Sequence, residues 1–135
     1  MKKGGVAECA GIKIRAIMLA RGWKEVDLVD EEKLKRKNIS RGFFSKFTNL
    51  LVRGKEQATK NDPKLILIAD RLNIPPRLLQ DDACWPTETQ PFRLSRSEIK
   101  TINWLKSLYT WYITHAGRAT AHKYLSLDFD VLQRQ

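Results

Sequence analysis

The stretch Asn38-Ile-Ser-Arg-Gly-Phe-Phe-Ser-Lys-Phe-Thr-Asn-Leu-Leu-Val-Arg-Gly-Lys55 carries three phenylalanines with polar or basic residues around them. Ser40 is a good N-cap, with Asn38 and Ile39 forming the turn before it. Helical spacing from there gathers Phe43 or Phe44, Phe47, Leu50 and Leu51 on one side. Arg41, Ser45, Lys46, Asn49 and Arg53 fall on the other. Gly54 is positioned to stop the helix. Such a helix is either a core helix with an ordinary basic surface or one that buries one face and offers the other to a polyanion.

Working outward, the flanks read as helices too. Met1 to Val6 is a flexible basic tip, because two lysines and two glycines come before anything apolar anchors the chain. A first helix runs from Ala7 to Arg21 and ends at Gly22, with Ile12, Ala16, Leu19 and Ala20 inward and Lys13, Arg15 and Arg21 off the centre of the stripe. Trp23 to Lys37 is either one helix or two short ones broken near Asp30. Lys55 to Pro63 contains a polar loop. Asp62-Pro63 then caps and opens a strongly apolar helix, and Pro75-Pro76 starts a short closing one.

Residues 83–94 contain two prolines and no clear period, and so read as a linker. Ser95 and Glu98 form a capping box for a helix that ends at Gly117. Ile102, Leu105 and Tyr109 lie in one apolar stripe of it, and Trp104, Leu108 and Trp111 in an adjacent one. Leu125 to Val131 alternates like a short strand. The expected fold is therefore mainly α, with a helical domain over 7–82 and a C-terminal helix and tail over 95–135.

The chain has 135 residues, 42% of them hydrophobic and 30% charged, enough to build a core. The net charge is +10. Residues 1–60 hold 15 Lys or Arg against 7 Asp or Glu, whereas residues 61–135 hold 10 against 8. A basic half joined to a near-neutral half fits one polyanion-binding module and one module with another task. No apolar run is long enough for a membrane span. The start resembles a signal peptide, but Lys13 and Arg15 break its apolar segment, so a cytoplasmic location is expected. Cys9 and Cys84 suggest neither a metal site nor a disulfide framework, and are read as reduced thiols. His115 and His122 have no third ligand near them in sequence. No nucleophile–base pair, phosphate loop or carboxylate pair stands out, so neither enzyme activity nor a cofactor or metal is expected.

The order of elements from Ile12 to Leu79 resembles the Cro-type, phage-repressor-like helix-turn-helix family. Asn38-Ile39-Ser40 matches the family's turn, Gly54-Lys55 its post-helix signal, and Leu65, Ala69 and Leu72 its Leu-x-x-x-Ala-x-x-Leu rhythm. The segment Asp30–Lys37 is longer than the family's link between helices two and three, and Leu50–Arg53 adds about one turn to the third helix. The resemblance implies a phage-repressor-like bundle and a transcriptional regulator of the repressor kind. Double-stranded DNA with a palindromic site would be its partner, bound as a homodimer. It puts Arg41, Gly42, Ser45, Lys46 and Asn49 on base edges, and Ser40, Arg53, Lys55 and Lys60 on phosphates. Dimerisation falls to Ile102, Trp104, Leu105, Leu108, Tyr109 and Trp111. Another reading is an antitoxin or similar interaction module whose C-terminal half binds a different protein. A third is non-specific binding of nucleic acid by charge alone.

Overall fold

The computed structural model describes residues 5–53, 57–86 and 94–117, together with positions 120, 121 and 123. The fold is mainly helical. A two-residue strand, β1 (Val6–Ala7), leads into helix α1 (Ala10–Arg21). A 3-10 turn (Glu25–Leu28) and helices α2 (Glu31–Arg36) and α3 (Arg41–Val52) follow. Strand β2 (Ala58–Thr59), α4 (Pro63–Leu72), α5 (Pro76–Gln80) and α6 (Arg96–Ala116) complete the order. No helix among the described residues is long and apolar enough to cross a membrane.

α1 is the centre of the molecule. Every residue from Ala10 to Met18 is buried, because α3, α5 and α6 all pack on it. Gly11 lets α3 approach closely, since a Cβ there would overlap the Leu51 carbonyl oxygen. The helix ends where expected, at Gly22, whose left-handed backbone (φ 71°) allows Trp23 N–H to return to Met18 O at 2.9 Å.

Its start differs from expectation. Val6 and Ala7 pair antiparallel with Thr59 and Ala58, so the helix begins at Ala10 and the supposed free tip is tied down from Gly5 onward. The polar loop before α4 thus contains a strand. Just ahead of α1, the Asp82 carboxylate accepts from the N–H groups of Glu8 (3.1 Å) and Cys9 (2.9 Å).

Lys13 and Arg15, expected off the centre of the apolar stripe, are also buried. Lys13 Nζ donates to the carbonyls of Leu78 (2.8 Å), Asp81 (2.9 Å) and Cys84 (2.7 Å), and lies 4.5 Å from the Trp85 ring centroid. Three carbonyl acceptors match the three N–H donors of an ammonium, whereas a neutral amine has only two. Residues 83–86 are consequently docked on α1 rather than part of a loose linker, and Pro86 is buried. Residues 87–93 lie outside the described residues.

The segment between α1 and α3 is two short helical pieces, because Asp30 leaves the helical region and caps α2 through Lys33 N–H at 3.3 Å. Asp62 caps α4 at Lys64 N–H (2.9 Å), and Leu65, Ala69 and Leu72 all face the core. Ser95 caps α6 at Glu98 N–H (3.1 Å), while the Glu98 carboxylate reaches Arg21 at the end of α1 (3.2 Å).

α6 corrects the dimerisation assignment in part. Ile102, Leu105 and Tyr109 close on α1 and belong to the chain's own core, so they are not free for a second subunit. Trp104 and Trp111 are 48% and 55% exposed, and Leu108 is half-buried. The strand expected over Leu125–Val131 and the residue His122 lie outside the described residues.

Candidate nucleic-acid interface

α3 is the helix that the quoted stretch predicts. The Ser40 hydroxyl accepts from Phe43 N–H at 3.1 Å, which fixes its start, and Asn38 before it takes a left-handed conformation (φ 57°). Phe44, Phe47, Thr48, Leu51 and Val52 turn inward. Thr48 is tolerated there because its hydroxyl donates back to the Ser45 carbonyl at 3.0 Å. The helix closes at Arg53; Gly54 and Lys55 lie outside the described residues.

The outward side carries Arg41, Gly42, Phe43, Lys46 and Asn49, all exposed. Ser45 and Leu50 are half-buried at its edges. The first turn holds no acidic residue of its own to offset the partial positive charge of the helix start. Arg41 has only a loose pairing with Glu31 at 3.6 Å, both side chains being more than half exposed. Lys35 and Lys37, at the end of α2 and in the following turn, are also exposed. Of the residues expected on bases, Arg41, Gly42, Lys46 and Asn49 therefore share one accessible face, with Ser45 at its margin.

Helical spacing leaves the anchoring position to Phe43 or Phe44, and Phe43 is 60% exposed, standing among the outward residues. Phe44 takes the core position instead. The Lys64 ammonium lies 4.9 Å from the Phe43 ring centroid and 4.6 Å from that of Phe47, and is held there by Asp62 at 3.1 Å. These groups, with Lys46, Leu50, Gln57 and Thr59, line an open groove of about 580 Å³ beside α3.

The residues expected on phosphates divide. Ser40 is exposed at the helix start, and Lys60 is exposed in the turn after β2, where its N–H donates to Gly5 O at 3.3 Å. Arg53 is committed inward. Its Nε donates to Asn49 Oδ1 at 2.6 Å and its Nη2 to Glu25 at 3.3 Å, which ties the end of α3 to the 3-10 turn. That network holds the Asn49 side chain as well.

Farther off, Trp23 sits beside two guanidiniums, Arg21 at 5.3 Å and Arg71 at 5.1 Å. Arg71 also donates to the Asp27 carbonyl at 2.9 Å, and Lys33 pairs with Asp70, so the 3-10 turn and α2 are pinned to α4. No group of three or more His, Cys, Asp or Glu side chains suited to a metal ion occurs among the described residues. Compared with models of known protein families, with curated proteins and with solved structures, the chain finds no match.

Proposed function

We propose that the protein is a sequence-specific DNA-binding transcriptional regulator that places α3 in the major groove as a homodimer. The observation that carries the reading is the division of α3. Its apolar face is buried against α1 and the 3-10 turn, while Arg41, Lys46 and Asn49 stand together on the outward face behind an acid-free, Ser40-capped start. A groove-reading helix needs both halves: a rigid attachment, and donors within reach of base edges. The excess positive charge of residues 1–60 adds the sequence-independent attraction to phosphates.

The outer stripe of α6 supports the homodimer. Trp104, Leu108 and Trp111 recur at helical spacing, and the exposed residues between Thr101 and His115 include Lys106 but no acid. Pairing along this stripe buries two exposed indoles per chain, and a two-fold axis there presents two copies of α3 to a palindromic site.

Selection of bound duplexes from a random DNA pool tests the proposal. One palindromic motif should emerge, and Lys46→Ala should weaken binding to it by about 1–3 kcal/mol with little effect on random DNA. Absence of any enriched sequence, or equal losses on both kinds of DNA, refutes base reading by α3. Sedimentation of the free protein as a monomer at micromolar concentration refutes the homodimer.

A further inference from the structure

We propose that Phe43 is a specificity-determining residue that reads a thymine methyl group in the major groove, an inference that rests on the DNA-binding reading of α3. Three observations lead to it. Phe43 is one of the most exposed large apolar side chains described, at 60%, and it stands in the first turn of α3, one turn before Lys46. Single exposed apolar residues are common on protein surfaces; what distinguishes this ring is its place on the helix face that carries Lys46 and Asn49.

The ring is also held in place. Lys64, anchored by Asp62, spans the rings of Phe43 and buried Phe47, so Phe43 is braced from the core side and loses little freedom on binding. Finally, the surroundings match a nucleic acid. Lys46 and Lys64 line the groove beside Phe43, and Arg41 and Lys60 are exposed, so this surface suits a polyanion that also offers an apolar group. In the major groove of duplex DNA the one such group is the C5-methyl of thymine, which phenylalanine contacts in direct readout.

The test starts with duplexes selected by the full-length protein from a random pool. Each thymine of the selected site is then replaced singly by deoxyuridine, which removes only the methyl. One position per half-site should weaken wild-type binding about three- to tenfold, the range expected for one methyl buried against a ring. Phe43→Ala should bind the thymine duplex correspondingly more weakly and show no difference between thymine and deoxyuridine there. Because the side chain is mostly outside the core, this variant should melt near the wild-type temperature, and Phe43→Leu should recover part of the discrimination. If the wild type is indifferent to every thymine-to-deoxyuridine change, or Phe43→Ala keeps the same sensitivity, the inference is overturned while DNA binding stands. If the selection yields no preferred duplex, DNA reading by α3 falls first, and the role of Phe43 with it.

Discussion

Replacing Lys13 by Met removes one ammonium from the interior and keeps an unbranched side chain of similar length. Three carbonyls lose their donor: Leu78 in a buried contact, Asp81 and Cys84 in partly buried ones. An orphaned buried carbonyl costs about 1–3 kcal/mol, while the two nearer the surface can turn to water for part of that. Loss of the contact with the Trp85 ring adds about 0.5–2 kcal/mol. Relief from burying a charge works in the opposite direction, so the net destabilisation should be about 2–4 kcal/mol.

Urea unfolding at neutral pH measures it as a fall in midpoint with little change in slope. The pH dependence supplies a second, independent check. Burial pushes the Lys13 amine below its ordinary value of 10.5, a shift opposed by Cys9, Asp82, Cys84 and Asp81. Between the lowered folded value and 10.5, the unfolded chain binds more protons than the folded one. Stability from this group therefore rises with pH across that interval. The gap between wild type and Lys13→Met should widen as pH climbs toward 10.5. A midpoint change worth less than about 1 kcal/mol refutes the structural role assigned to the three carbonyl contacts. A gap that narrows with rising pH refutes the direction of the shift.

Gly11→Ala should destabilise by about 1–3 kcal/mol, because the new methyl collides with the Leu51 backbone, which cannot swing aside; an unchanged thermal midpoint would show that α1 and α3 do not touch there. Phe47→Ala should cost roughly 3–5 kcal/mol in the same assay, as its ring is almost wholly within the core, and a loss below about 1 kcal/mol would place that ring outside it. On DNA, Lys60→Ala should weaken binding to all sequences alike and lower the slope of log K against log salt by about one. A slope equal to that of the wild type would remove Lys60 from the phosphate contacts.

Much of α3 was legible in the sequence because several local signals agree. Ser40 supplies a cap, and Phe44, Phe47 and Leu51 repeat at helical spacing, so the helix and its approximate buried side are specified together. Phe43 and Phe44 are neighbours about 100° apart on the helix, and periodicity alone does not say which one the core takes; the packing of α1 and Lys64 decides it. The environment of α1 is hidden in the sequence for a related reason. Lys13 and Arg15 look like marks of a solvent face, yet the other residues from Ala10 to Met18 are all apolar or glycine. Apolar residues or glycine at every other position, on all sides of the helix, are the sign of a helix surrounded on every side. The pairing of Val6–Ala7 with Ala58–Thr59 is two residues long, too short to leave any alternation. For α6, both apolar stripes were visible, but what covers each depends on contacts with α1, some 90 residues away in the chain.

The enclosure of α1 from Ala10 to Met18 also fixes how the molecule opens. A surface helix can release its amides to solvent by fraying while the rest of the protein stays folded. Ala10–Met18 has no such route, since exposing it requires α3, α5 and α6 to leave together. The amide protons from Lys13 to Met18, hydrogen-bonded within the helix, should therefore exchange with deuterium only through global unfolding, and their slowest rates report the free energy of the whole fold. The last turn of α6 is exposed from Thr114 to Ala116 and should exchange through local opening, orders of magnitude sooner. One labelling experiment would thus separate a cooperative centre from a periphery that moves without it.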